Sequence, residues 1–172
     1  MTKTTILKIF ITNLGKYNEG ELIGEWLDLP ATEDEIDELY ERIGIGEEYE
    51  EVFITDFESD LNIKVNECDN IEALNEMADE IASLDEWELE TLEALLTYFD
   101  DVDEALEKIE DVTIWSGCDD MAEVAEQYAE ETGLLDDVPD ELKPYFDYDL
   151  YGRDMEIIGT YIFYNGDCYE VN

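Results

Sequence analysis

Residues 5–44 read TILKIFITNLGKYNEGELIGEWLDLPATEDEIDELYERIG, and the fold class is decided within them. Thr5 to Thr12 is β-branched or apolar at nearly every position, the composition of a strand. Gly15 to Gly20 (GKYNEG) breaks that run with loop-forming residues. Glu21 to Leu29 resumes as a second strand, and Pro30 stops it because proline has no N–H to give a ladder. The period then changes. Thr32 and Glu35 stand at capping-box spacing. Ile36, Leu39, Tyr40 and Ile43 follow at intervals of three and four, one face of a helix that Gly44 closes. Val52 to Phe57 supplies a third strand. Sheet and helix within one short segment predict a β-β-α-β lobe over residues 1–67.

Working outward, the period from Asn70 to Glu110 is helical. Ile71, Leu74, Ala78 and Ile81 mark one helix. A second opens at Ser83 or Asp85 and carries Leu89, Leu92, Leu95, Leu96 and Phe99. In a third, Asp101 is the cap and Glu104 its box-like partner, ahead of Val102, Ala105, Leu106 and Ile109. Residues 68–110 are thus expected to be a helical lobe. Mixed structure returns over 111–172. Val112 to Trp115 reads as a strand, and Asp119 to Thr132 as a helix with Gly133 as its C-cap. Pro139 to Phe146 reads as a further helical turn. Met155 to Tyr164 and Asp167 to Val171 read as strands flanking Asn165-Gly166, a strong hairpin signal. The expected fold is α+β in three small lobes: sheet plus helix, helical bundle, and sheet plus helices with a hairpin.

The charge is as informative as the pattern. The chain holds 51 Asp and Glu against 8 Lys and Arg, with no His, for a net charge of −43 over 172 residues. Disordered acidic chains are poor in apolar residues. Here 45% of residues are apolar and 12% aromatic, enough to build a core. The acids lie opposite the apolar stripes: Asp34, Asp37, Glu38 and Glu41 on the first helix, then Glu72, Glu76, Asp79 and Glu80, then Glu86, Glu90 and Glu93, then Asp103 and Glu107, and finally Asp120, Glu123, Glu126, Glu130 and Glu131. Ordinary solvated faces mix Glu with Lys at i,i+4. Here such neighbours are mostly alike, as in Glu72–Glu76 and Glu126–Glu130, and each like pair destabilises by roughly 0.2–0.5 kcal/mol. A surface that repels itself this strongly points to a function for the charge, and the cellular polymer with such a density is nucleic acid. Duplex DNA carries one charge per ~1.7 Å of axis, so the 43 charges match at most ~73 Å, or about 21 base pairs. A protein of this size reaches that length only if its lobes are strung out in an elongated row. Salt adaptation is the competing account of an acidic, Lys-poor surface.

Much chemistry is excluded. Without histidine there is no Ser-His-Asp or Cys-His system. Cys68, Cys118 and Cys168 are isolated and odd in number, which excludes a zinc motif and a disulfide framework and fits a reducing cytoplasm. No glycine-rich phosphate loop is present. Asp56, Glu58, Asp60 and Glu67 have calcium-loop spacing, but Leu61 stands where the loop needs glycine. Ile6 to Ile11 is too short and too charged for a signal peptide, and no run suits a membrane span. No enzyme activity, cofactor, metal, membrane or nucleic-acid partner is therefore expected.

Two stretches carry a family resemblance. ITNLGKYNEGELIGEWLDLP, with Gly15, Tyr17, Asn18, Gly20, Gly24 and Trp26, resembles the N-terminal signature of the ArdA antirestriction proteins. AEETGLLDDVPDELKPYFDYDLYGRDMEIIGTYIF, with Gly133, Pro139, Tyr148, Tyr151, Gly152, Arg153 and Asp154, resembles their C-terminal signature. The resemblance implies a DNA mimic carried by mobile genetic elements, with three lobes in a row and an elongated, curved homodimer. It implies a non-enzymatic inhibitor whose partner is a type I restriction–modification enzyme in the bacterial cytoplasm, protecting incoming DNA. Glu131 to Asp140 matches the family's antirestriction motif. Its Leu134, Leu135 and Val138 are read either as a dimer contact or as ordinary packing under a loop. Arg153 is expected to pair with Asp154 or Asp149. The alternative function is an acidic, chaperone-like module for basic nucleic-acid-binding proteins.

Overall fold

The computed structural model describes residues 3–172. Among these residues seven α-helices accompany two three-stranded antiparallel sheets, so the fold is α+β. The chain folds as two compact units, one up to Leu89 and one from Glu90.

In the first unit, β1 (Leu7–Asn13) lies between β2 (Gly24–Leu29) and β3 (Val52–Glu58). Successive strand residues face opposite sides, and the burial follows. Leu7, Ile9 and Ile11 of β1, Leu27 and Leu29 of β2, and Ile54 of β3 form one apolar face. Two helices, α2 (Glu33–Arg42) and α3 (Ile71–Ser83), close over it with Leu39, Ile71, Leu74 and Ala78. Each such aliphatic side chain contributes about 1.5–3 kcal/mol by leaving water. The capping box of α2 forms as expected: the Glu35 N–H donates to Thr32 Oγ1 at 3.2 Å, and the Thr32 N–H donates to Glu35 Oε2 at 2.8 Å.

The GKYNEG stretch departs from the expected loop. A short helix, α1 (Leu14–Asn18), begins there, and the second strand starts at Gly24 instead of Glu21. The cause is Asn13, which is fully buried at the end of β1. Its Oδ1 accepts the Lys16 N–H at 3.0 Å, capping α1, and its Nδ2 donates to the Ile43 carbonyl at 3.0 Å. One side chain thus joins β1, α1 and the end of α2.

The second unit holds most of α4 (Glu86–Leu95), then α5 (Val102–Lys108), β4 (Val112–Ser116), α6 (Met121–Thr132), α7 (Tyr148–Ile158), β5 (Thr160–Tyr164) and β6 (Asp167–Val171). The sheet order is β4-β6-β5. Asn165 (φ 49°) and Gly166 (φ 84°) make the tight turn between β5 and β6, as the Asn-Gly pair requires. Gly133 ends α6 in the left-handed conformation at φ 66°. Trp115, Cys118, Val124, Ala125, Met155 and Cys168 form the core.

Here too one element differs. Met155 to Tyr164 is not one strand, because α7 runs through Ile158 and β5 begins only at Thr160. Asp147 caps α7 by accepting the Leu150 N–H at 2.9 Å, and Tyr148, Tyr151 and Met155 pack on the core at helical spacing. The β-branched Ile157-Ile158 pair disguised the end of that helix as strand. Gly152 lets α7 approach α6, since a Cβ there would lie 2.7 Å from the Met121 carbonyl carbon.

Candidate functional site

In the first unit the carboxylates Asp34, Asp37, Glu38 and Glu41 of α2 are all exposed, as are Glu72, Glu76, Asp79 and Glu80 of α3 and Glu86 of α4. The fold adds an arrangement that periodicity does not contain: α2 and α3 lie side by side. Asn75 fixes them by imitating a backbone pair. Its Oδ1 accepts the Ala31 N–H at 2.6 Å, and its Nδ2 donates to the Ala31 carbonyl at 2.9 Å. Glu33 and Asp37 from α2 and Glu72 and Glu76 from α3 then line one groove of about 530 Å³, floored in part by Ile36, Tyr40 and Ile71. Burial, then Glu72 and Asp37, raise the Tyr40 phenol above its usual range, so it stays a neutral hydroxyl. Glu33–Asp37 and Glu72–Glu76 are i,i+4 pairs, whose Cβ atoms lie about 5–6 Å apart along a helix, so acidic residues line the groove from both helices.

Two of the chain's own cations, Arg42 and Lys3, serve the scaffold. Arg42 bonds Glu25 at 3.0 Å and reaches Glu38 at 3.8 Å. Lys3 pairs with Glu35 at 2.6 Å, and that bond, with the Thr32 N–H, holds the Glu35 carboxyl below the usual range.

In the second unit Glu90, Asp103, Glu107, Asp120, Glu123, Glu126, Glu130 and Glu131 are exposed. Glu93 is only half-buried and accepts from the Tyr164 hydroxyl at 3.1 Å. Asp120 and Glu123 also cap α6: Asp120 accepts the Glu123 N–H at 2.9 Å, and Glu123 accepts the Asp119 N–H at 2.7 Å. Removing either would disturb the helix as well as the field. Glu170 takes a structural part, accepting from Trp115 Nε1 and from the Tyr161 hydroxyl, each at 2.9 Å. Burial and Glu170 together push the Tyr161 phenol well up.

Leu134 is exposed, whereas Leu135 and Val138 are half-buried in the turn after Gly133. The expected partners of Arg153 are absent: it is exposed, and among the described residues neither Asp149 nor Asp154 pairs with it. The larger apolar exposure lies on α7, where Ile157 is 75% and Ile158 88% exposed and Leu150 shares their face. Reading this segment as a strand hid that face. A helical-period count from the Asp147 cap would have found it.

Two of the cysteines are held unreactive. Burial raises the Cys118 and Cys168 thiols, Cys168 to about 12, so both stay protonated and poorly nucleophilic. Among the described residues no group of three or more Cys, Asp or Glu side chains is placed to hold a metal ion, and no helix is long and apolar enough to cross a membrane. Asp56 and Glu58 lie on β3, not in a loop that follows a helix.

Fold and surface define a small α+β protein whose helices present carboxylates outward. The family model described as "Antirestriction protein (ArdA)" matches residues 9–170, and the chain belongs to that family. Its members are inhibitors whose targets are restriction–modification enzymes. Among curated proteins no similar sequence is found.

Proposed function

We propose that the protein acts as a DNA mimic, occupying the DNA-binding groove of a type I restriction–modification enzyme at its methyltransferase core. The observation that carries this reading is the outward presentation of the helical carboxylates, with two rows converging on the α2–α3 groove. The carboxylates stand in for phosphates and engage the Lys and Arg that line the enzyme's groove. Phosphate contacts position a duplex without reporting its sequence, so enzymes with different target sites are inhibited alike. The action is stoichiometric and non-enzymatic, takes place in the cytoplasm, and protects incoming mobile-element DNA.

The reading includes a homodimer that extends the imitation. The exposed Leu134, with Leu135 and Val138 beside it, supports a dimer contact in the second unit. Sedimentation of the wild type as a dimer and of Leu134→Asp as a monomer checks that part.

The test is DNA binding by two purified type I methyltransferases of unlike sequence specificity, each titrated with the protein. Loss of DNA binding by both near equivalence is expected. Unchanged DNA binding, together with avid capture of unrelated basic proteins, would replace this reading with the acidic-chaperone one.

A further inference from the structure

The outer face of the first sheet, opposite α2 and α3, carries only the short α1 among the described residues, and it is lined with rings. Outward positions pair across the strands as Trp26, Phe10 and Asp56, with Gly24, Thr12 and Phe53 alongside. Phe10 and Trp26 meet edge to face at 5.3 Å, and Tyr17 of α1 meets Phe53 in the same way at 5.1 Å. Gly24 keeps the face open, because a Cβ there would lie 2.6 Å from the Phe10 ring. Trp26 is 40% and Tyr17 50% exposed. Residue 67 runs beside β3, its carbonyl accepting the Ile54 N–H at 2.9 Å. The four rings, with Leu22, Thr55, Asp56 and Glu67, line an open groove of about 520 Å³.

We infer that this groove docks an arginine-bearing basic segment of the partner protein. A guanidinium is flat, weakly hydrated and permanently charged. It stacks on Trp and Tyr faces while donating in pairs to carboxylates. Rings beside acids suit that group better than an ammonium, which holds its water more tightly. The acids select among occupants. Nucleic acid is itself negative and would be repelled, a neutral apolar ligand would leave Asp56 and Glu67 without a counterion, and the dimer contact proposed above uses Leu134 of the second unit and not this face. Lys8, the one cation on this face among the described strand residues, is flanked by Asp28 and Glu58 further along the sheet. The inference rests on the proposed reading in one respect: a DNA-binding enzyme is the partner that displays such arginines. It adds a hydrophobic, arginine-selective contact to a surface otherwise described by charge alone.

The test uses the full chain with its tryptophan indoles labelled for NMR, titrated with hexa-arginine and hexa-lysine peptides. The salt is about 0.5 M, where the Debye length is only about 4 Å and diffuse attraction is screened. The Trp26 indole signal is expected to shift saturably with the arginine peptide, with Trp87 and Trp115 as internal controls. Trp26→Ala and Tyr17→Ala should each weaken arginine-peptide binding about threefold to tenfold. Asp56→Asn with Glu67→Gln, which leaves the rings in place, should weaken it as well. Equal binding of the two peptides, an unmoved Trp26 signal, or unaltered affinity in the Asp56/Glu67 variant overturns the inference. If the protein still displaces DNA from the methyltransferase, that failure concerns the groove alone. Loss of displacement by the wild type would overturn the proposed function itself.

Discussion

The two sheets have the same number of strands and the same antiparallel pairing, but they treat their faces differently. In the second unit both faces are closed at the middle strand: Cys168 is buried on one side and Tyr169, 3% exposed, on the other. In the first unit the face under α2 and α3 is closed, whereas the other is closed only at the end of the middle strand, where Thr12 is fully buried; Phe10 is half-buried and Lys8 exposed. Each sheet leaves one edge-strand ring partly exposed, Phe163 on β5 at 39% and Trp26 on β2 at 40%, but beside the first sheet Tyr17 of α1 adds a second at 50%. A strongly self-repelling protein has little stability to spare, so rings withheld from the core suggest a use outside it.

Matched truncations test that contrast most severely. Tyr169→Ala should cost about 3–5 kcal/mol, the range for removing a buried ring. Trp26→Ala on the open face should cost about 1 kcal/mol or less. Urea denaturation measures both, and equal costs would erase the distinction between the sheets. Gly152→Ala comes next. Its methyl would press on the Met121 backbone between α6 and α7, and overpacking of that kind costs about 1–3 kcal/mol. Asn13→Ala in the first unit should lose about 2 kcal/mol, combining a lost cap with an unsatisfied Ile43 carbonyl. Similar midpoints for Asn13→Ala and wild type would refute the role of Asn13 in joining β1, α1 and α2.

A smaller effect is set by pH. The Tyr49 phenol donates to Glu19 at 2.8 Å, which pushes it up to about 12 from the ordinary 10. The unfolded chain loses that proton near pH 10 and the folded one near 12. The associated stability is therefore complete below pH 10 and is lost as pH rises toward 12. Melting scans of wild type and Tyr49→Phe should diverge below that window and converge through it. Parallel curves throughout would contradict the bond.

Most of the fold was legible because its signals are local. The Thr32/Glu35 box, the Asn165-Gly166 turn and the apolar stripes of α2, α3 and α6 each lie within a few residues. The two departures have tertiary causes. GKYNEG becomes helical because Asn13, buried by the sheet, caps it, and no local pattern reveals that burial. The end of α7 carries Ile157 and Ile158 outward, and period-based reading assigns exposed β-branched residues to a strand. The carboxylate faces were legible residue by residue, since a helix puts the acids opposite its apolar stripe. Their convergence was not, because the α2–α3 groove depends on Asn75 reaching Ala31 over a long separation in sequence. The outer-face rings were visible as residues, but only the strand register shows that Trp26, Phe10 and Asp56 stand abreast.

The central claim is that carboxylates replace phosphates in an enzyme's DNA groove. Its most direct test is a displacement titration: labelled target duplex bound to a purified type I methyltransferase, with the protein added at low and at moderate salt. Release of the duplex near one equivalent of protein per DNA site, with the protein's apparent affinity falling as salt rises, is the predicted result. A duplex that stays bound at saturating protein under both conditions would contradict the account.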